Sequence, residues 1–483
     1  MNRILLSLAL ALLSLPVFAA EPVKVSYYKD VRPIFQQHCQ GCHQPAKSLG
    51  GYVMTAYPDL FKKGDSEQPG VVASKPADSL LVKLLGEVQG RARMPKGKEP
   101  LPEPQVKLIT KWVEEGAIDD TPASAKAPLV DAAHPPVYEA LPVVSALAFS
   151  PNGQLLAVSG YHEVILRSAD GSKLVARLVG LSERVQSLAF SPDGKWLAVS
   201  GGDPGRFGEV QIWDVEKTAL KISIPVSYDT VYGVSWSPDS KLVACGCADN
   251  TIRAFEALSG KQILFQGAHA DWVMGTSFSQ DGQHLVTVSR DRSVKLTEVP
   301  TNRFVDNVTS ITPGALKGGL LAVEVRPVPP LAKDAKPKMA VVPKDTPGVP
   351  AKLYDELLVA GADGQPRLYK MHREVKRVIG DDSNKVRDYE KLPGRIYGVA
   401  FNKTGSAFVV GSSLDGVGEA RVYETESGKR VATCEGVKTP VYAVTFSPDG
   451  KTVVTGGFDG IIRFNDAATG KMISEVVPVP LKK

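Results

Sequence analysis

Long hydrophobic runs are scarce in these 483 residues. The only one, Ile4 to Ala20, follows Arg3, is interrupted by Ser7, Ser14 and Pro16, and ends in Val17-Phe18-Ala19-Ala20. A charged start, a short apolar middle and a small-residue end predict a secretory signal peptide over residues 1–20, cut near Ala19 or Ala20, with an uncleaved anchor as the alternative. No later segment is long enough to span a bilayer, and no cysteine follows the run to carry a lipid, so the expected mature protein is exported, soluble and periplasmic or otherwise extracytoplasmic. An excess of one charge is also missing: 57 Lys and Arg face 52 Asp and Glu, for a net charge of +5 without a basic stripe. That balance argues against nucleic acid as a partner. Cysteines number only five, an odd count for an oxidising compartment. Motifs for hydrolytic, zinc-protease or phosphate chemistry (G-x-S-x-G, H-E-x-x-H, a glycine-rich phosphate loop) are absent, which predicts no linear catalytic site. A site assembled from several repeats would escape such a scan.

Two of the cysteines carry the strongest local signal. Cys39-Gln40-Gly41-Cys42-His43 has the C-x-x-C-H spacing of covalent haem attachment. Two thiols three positions apart can each add to one vinyl group of a porphyrin, and the adjacent imidazole then lies beneath the iron. A redox dithiol or half of a zinc site shares the C-x-x-C, but no second pair follows at ligand spacing. The expected cofactor is one covalent haem c per chain, with Cys39 and Cys42 as anchors and His43 as an axial ligand. Met94, before Pro95, is the expected opposite ligand. Met54 is read as apolar filler, His38 as too close to Cys39 to reach the far face, and bis-His or open coordination as the alternatives. Helices are predicted over Tyr28 to His43, with Val31, Ile34, Phe35 and Cys39 at helical spacing, and over Pro104 to Gly116, with Val106, Ile109 and Val113 plus Leu108 and Trp112. Trp112 is expected in the core.

Residues 29–117 carry Val31-Arg32-Pro33-Ile34-Phe35, the C-x-x-C-H pentapeptide, Gly50-Gly51, Ser79-Leu80-Leu81, Arg93-Met94-Pro95 and Trp112-Val113-Glu114-Glu115-Gly116-Ala117. In that order they resemble the Planctomycete-type cytochrome c domain family. The resemblance implies a small all-α, class I-like monohaem domain over 21–117 with the methionine of its M-P motif, here Met94, as distal ligand.

From 118 to 142 the chain turns rich in Ala, Pro and Asp and is read as a linker. Repetition follows. An F-S-P-D-G-like element recurs with its aromatic at positions 149, 190, 236, 278, 401 and 446, separated by 41, 46, 42, 123 and 45 residues. Periods near 42 predict propeller blades, each an inner strand, a turn, then strands such as Trp196 to Gly201 and Val210 to Val215, or Val453 to Gly457 and Ile461 to Asn465. The long gap holds one more blade (Leu320 to Arg326, Leu357 to Gly361, Arg367 to Met371) and an insertion over 327–352 with seven prolines and five lysines, read as an extended solvated loop. These units resemble WD repeats, and residues 143–483 resemble an all-β, seven-bladed propeller of that type, although Trp213-Asp214 is the only complete W-D pair. Asp249, Asp291 and Asp459, before third strands, and His269 are read as turn and core supports. Cys245 and Cys247 fall on one face of a strand and are read as core, while Cys434 is expected to stay unpaired, with a bond across neighbouring blades as the alternative.

The expectation for the whole chain is an exported c-type cytochrome for single-electron transfer, with the propeller as docking platform for redox partner proteins and other protein–protein contacts. An oxidoreductase with a propeller-borne active site served by the cytochrome is one alternative. A haem-based redox or ligand sensor is another. Electron transfer or binding is favoured over catalysis, without settling whether the protein is an enzyme.

Overall fold

The computed structural model describes residues 24–44, 47–88, 91–122, 130–312, 316–327, 355–378 and 380–482. The signal peptide expected over 1–20, residues 123–129 of the expected linker and nearly all of the expected 327–352 insertion lie outside the described residues. The chain divides into two compact units, one of Met1–Arg32 with Val71–Thr121, the other of Pro33–Gly70 with Pro122–Lys483.

The first unit is held by its longest helix, Glu103–Glu114. Pro104 sits where its missing N–H costs no hydrogen bond, and the helix stops just before Gly116, whose φ of 102° suits glycine. Ile109, Trp112 and Val113 share the buried face. Trp112 is a core aromatic, as expected: it is 1% exposed, its Nε1–H donates to the Ile118 carbonyl at 3.1 Å, and Tyr27 stacks on it at 5.4 Å. Asp120 ties the chain start to this helix by accepting from the Tyr28 N–H at 2.8 Å and the Ser26 hydroxyl at 2.5 Å.

The predicted helix over Tyr28 to His43 breaks into a wide turn, Tyr27–Val31, and a short helix, Arg32–His38. With Leu80–Leu85 of six residues and Glu103–Glu114 of twelve, the N-terminal region has little helix. It shows no clear cytochrome fold, which corrects the expectation of a small all-α domain over 21–117. The reason lies in residues 50–76, where Gly50, Gly51, Gly64, Gly70, Pro58, Pro69 and Pro76 leave no uninterrupted stretch for a further long helix.

The second unit is mostly β. Among the described residues, one seven-stranded sheet spans 147–227 and five four-stranded sheets span 231–266, 273–307, 320–388, 395–433 and 441–476, each an antiparallel meander in chain order. This is the sheet pattern of a WD-type propeller. Within the first sheet, Leu174–Phe190 pairs with Tyr161–Ser168 through its first half and with Trp196–Asp203 through its second, so one long strand serves two neighbours. Strands foreseen near Trp196, Val453, Leu357 and Arg367 are present at Trp196–Asp203, Thr452–Gly457, Glu356–Gly361 and Arg367–Lys370.

The recurring turn explains the regularity. In Ser191-Pro192-Asp193-Gly194 the Ser191 hydroxyl donates to Asp193 at 2.6 Å and accepts the Trp196 N–H at 3.0 Å, while Gly194 adopts a φ of 73°. The same Ser-to-Asp bond recurs at 237/239, 279/281 and 447/449, with distances of 2.5–2.6 Å, so a local polar code fixes the hairpin register each time. Between sheets the core is apolar: Val286, Val288, Val325, Leu357 and Tyr369 form one cluster across two neighbouring sheets.

Candidate functional site

The C-x-x-C-H segment forms a helical turn at the end of Arg32–His38. The Cys39 N–H donates to the Phe35 carbonyl at 2.9 Å, and the Cys42 and His43 N–H groups both donate to the Cys39 carbonyl, at 3.1 and 3.0 Å. That turn sets Cys39 and Cys42 one above the other, both half-buried, with His43 directly after. His43 Nδ1 lies 3.1 Å from the Tyr52 carbonyl. A carbonyl only accepts, so Nδ1 carries the hydrogen and Nε2 the lone pair. Burial lowers the His43 pKa against the opposing pull of the Tyr52 and Leu49 carbonyls, which favours the neutral ring that ligates iron. Gln40 braces the turn by donating its amide to the Met54 carbonyl at 2.9 Å, and Met54 is 2% exposed. Gly41 is required by close approach: a β-carbon there would lie 2.7 Å from the Ser223 carbonyl oxygen. Two thiols at this spacing beside a neutral, backbone-oriented imidazole are a donor set that fits a covalent haem.

Met94 belongs to the other compact unit. It is half-buried, its N–H donates to the Leu84 carbonyl at 3.1 Å, and its bond to Pro95 is cis. His38 is half-buried at the last position of its helix. Among the described residues, no group of three or more His, Cys, Asp or Glu side chains is placed to hold a metal ion.

In the sheets, His269 bridges the Asp291 carboxylate at 2.9 Å and the Thr287 hydroxyl at 2.8 Å, and Asp291 also accepts the Ala270 and Ser293 N–H groups at 3.0 and 2.9 Å. Burial alone would raise the Asp291 pKa; His269 and the backbone donors overcome it and hold the carboxyl well below the usual range. Asp249 and Asp459 likewise accept the N–H two residues on, at 3.2 Å each. Cys245 and Cys247 are fully buried in an apolar cluster, and burial pushes the Cys434 thiol up to about 12. These groups support the sheets, with Arg253 Nη1 reaching Cys247 Sγ at 3.9 Å.

A channel with a cavity of about 810 Å3 runs where the first strands of successive repeats converge. Ser145, Gln186, Tyr232, Met274, Leu321, Tyr397 and Tyr442 line one level of it, and Ala146, Ser187, Gly233, Gly275, Ala322, Gly398 and Ala443 the next. The second level is small everywhere because the strands crowd the axis: a β-carbon on Gly233 would lie 2.5 Å from Gly275 Cα. The sequence reading overlooked both levels. Their signal is positional: six of the seven pairs stand four and three places before the recurring aromatic of the repeat, and Leu321 and Ala322 stand so before Val325.

Comparison with known proteins bears on both regions. Residues 172–206, 222–256, 260–297 and 428–466 match the family model "WD domain, G-beta repeat". These four segments are WD repeats. Residues 39–97 match the model "Planctomycete cytochrome C". Among curated relatives, a component of chromatin assembly factor 1 from Gallus gallus is 26% identical over 35% of this chain and 25% of its own length. Serine-threonine kinase receptor-associated protein of Gallus gallus is 21% identical over 50% of this chain and 68% of its own. Periodic tryptophan protein 2 of Saccharomyces cerevisiae is 26% identical over 50% of this chain and 25% of its own. The chain thus spans about a quarter of the length of the first and third of these relatives.

These relatives correct three expectations. A single-electron carrier has no counterpart among proteins named for chromatin assembly and receptor association. Electron transfer, the propeller enzyme and the haem sensor therefore give way as accounts of what the protein does. The terms cytochrome, haem, iron and periplasm conflict with the same relatives as descriptions of its role, and a redox partner has no support. An exported or periplasmic location conflicts with relatives named for chromatin assembly. Among the described residues, no helix is long and apolar enough to cross a membrane.

Proposed function

We propose that the chain is a protein-interaction scaffold whose WD repeats form a seven-bladed propeller over residues 143–483. The observation that carries this reading is the convergence of first strands from all the sheets on one channel, with WD-family matches on four repeats. Counting seven blades divides the first sheet at the long Leu174–Phe190 strand, whose two halves pair with different neighbours. Sheets locked by Ser–Asp turns and interlocking cores hold the connecting loops rigidly, and a rigid loop surface loses little conformational entropy on docking. The relatives' names, a chromatin assembly factor component and a receptor-associated protein, describe proteins that work bound to others. Cross-linking of the tagged full-length chain in lysate, with mass-spectrometric mapping, tests this: cross-links to a reproducible partner should concentrate on the loops at one end of the channel. Cross-links scattered evenly, or absent, would overturn it.

We also propose that a cytochrome-like segment is fused to this propeller, and that Cys39 and Cys42 attach one haem c covalently with His43 and Met94 as axial ligands. The match over 39–97 and the Nδ1-anchored neutral ring of His43 support this. Bound haem supplies a redox-active iron. Cys39 and Cys42 would hold it through two thioethers, and the Tyr52 carbonyl orients the His43 imidazole. Expression with a cytochrome c maturation system, followed by acid-acetone extraction and a pyridine haemochrome assay, should find one non-extractable haem per chain, lost in Cys39→Ala/Cys42→Ala. Extractable or absent haem would refute attachment, and a Met94→Ala variant with an unchanged spectrum would remove Met94 from the ligand set.

A further inference from the structure

Most of the repeats balance a carboxylate at or just before the third strand with a cation of their own. Arg177 pairs with Glu163, Arg253 with Asp249, Arg367 with Asp363, Arg421 with Glu419 and Arg463 with Asp459, all at 2.5–2.7 Å, and Lys295 stands 3.9 Å from Asp291. Arg253, Lys295, Arg421 and Arg463 share one register, each being the strand partner of the residue nine places after its repeat aromatic. In the repeat that contains Phe207–Asp214 the same register holds Gln211, paired with Val199. Two residues earlier stands Glu209, which is 2% exposed and, among the described residues, forms no ion pair. Its partners are neutral: the Ser182 hydroxyl at 2.8 Å and the Gln211 amide at 2.6 Å donate to Oε1, and the Ser223 hydroxyl donates to Oε2. Trp213 Nε1–H donates to the Gln211 side-chain carbonyl at 2.8 Å, which keeps the amide nitrogen turned to Glu209. Burial pushes the Glu209 carboxyl above its usual range against the pull of those donors, and Asp203 adds repulsion.

The carboxylate without a cation is also the one that faces open space. Glu209 lines a cavity of about 500 Å3, lying wholly within the second compact unit, with Gln40 and Gly41 on one wall and Phe207, Pro225 and Val226 as an apolar side. Its charged residues are Glu209, Asp229 and Asp249 against Arg206 and Arg253, an excess of one negative charge. A carboxylate offers about four acceptor places. Those on Glu209 Oε1 are both taken and Ser223 takes one on Oε2, so a single place is left, enough for one N–H. We propose that this cavity binds a small aliphatic monoammonium compound, its nitrogen donating to Glu209 Oε2 where other repeats supply an arginine or lysine, and its chain lying along Phe207, Pro225 and Val226. A guanidinium, whose fork wants two acceptors, and a dication, which brings a second charge with no counterpart, suit the site less. The site needs no partner protein and stands apart from the scaffold reading.

The test is calorimetric titration of the full-length chain, in an amine-free buffer, with n-butylammonium chloride, with 1-butanol as the uncharged control and putrescine as the dication. The expected result is saturable binding of butylammonium and none of the alcohol, weakened roughly 10- to 100-fold in Glu209→Gln, which removes the charge. Gln211→Arg should weaken it as much, because it places a cation beside Glu209 in the register where Arg421 meets Glu419. Matching thermal melts establish that each variant folds like the parent. Where Glu209→Gln does not fold, Gln211→Arg decides, since it should lose binding while melting no lower than the parent. Absence of saturable butylammonium binding, equal binding of the alcohol, tighter binding of putrescine, or unchanged affinity in Gln211→Arg would overturn the proposal.

Discussion

Replacing Arg177 with methionine should destabilise the propeller by about 3 kcal/mol, at the low end of the range for stranding a buried charge. The Glu163 side chain is 0% exposed, and Arg177 grips it with two bonds of 2.6 Å, from Nε to Oε2 and from Nη2 to Oε1. The Tyr138 hydroxyl donates to Oε1 at 2.7 Å, and Arg177 Nη2 also reaches the Pro136 carbonyl at 2.7 Å. Methionine fills much the same volume but leaves the carboxylate with Tyr138 as its remaining partner, which is why the low end applies. The cluster matters because it sits where the ring of sheets closes. The Lys482 N–H donates to the Tyr138 carbonyl at 2.9 Å, Val144 N–H to Gly457 at 2.9 Å, and Arg167 to the Pro478 carbonyl at 2.8 Å. A loss of 3 kcal/mol should lower the midpoint of thermal unfolding by roughly 5 °C. Glu163→Gln/Arg177→Met removes the charge along with its partner and should recover about 2 kcal/mol relative to Arg177→Met alone. Urea titrations followed by tryptophan fluorescence measure both. A single variant within 1 kcal/mol of the parent, or a double variant losing the sum of the two single losses, would refute the reasoning.

Three further outcomes follow from named residues. Burial raises the Asp355 pKa to about 6 from 3.8, with repulsion from Asp281 added and the Gln280 N–H opposing, so the folded protein binds a proton that the unfolded chain releases between those values. That stabilisation is present below about pH 4 and lost as pH rises through 6, so Asp355→Asn should raise stability by ~2 kcal/mol at pH 8 and leave it unchanged at pH 4, as read by urea titration at each pH. Exposed Arg292 holds a φ of 70°, and Arg292→Gly should gain about 0.5–1 kcal/mol in the same assay, a loss counting against strain there. Gly233→Val should cost roughly 3 kcal/mol or abolish folding, because its β-carbon would press on Gly275, and a parent-like melt would show that the channel strands are not packed this closely.

How far the sequence reveals this molecule depends on the range of the interactions involved. The Ser-Pro-Asp-Gly turns close over five or six residues, so hairpins and second strands such as Trp196–Asp203 were legible to within a residue or two. The roles of Asp291 and Trp112 were equally local. Helical spacing over Tyr28 to His43 misled, since periodicity alone does not show where the turn at Cys39 takes the backbone out of the helix. The closing contacts between Tyr138 and residues 481–482 join chain positions more than 340 apart, and nothing local announces them. The channel tyrosines were in plain view at a fixed offset from each repeat aromatic. A chemical scan passes over them because their meaning lies in the convergence of several repeats. The haem signature led to a role for the whole chain that the relatives do not share, because five residues speak for one attachment chemistry and not for what a long repeat domain does with it.

The most direct test of the scaffold account is the affinity of a cross-linked partner, purified, for the full-length chain and for its Tyr232→Ala/Tyr442→Ala variant, which alters two residues of the channel lining. The account predicts saturable binding to the parent and at least tenfold weaker binding to the variant, with unchanged thermal melts. Equal affinity for the two proteins, or a partner that binds neither, would contradict it.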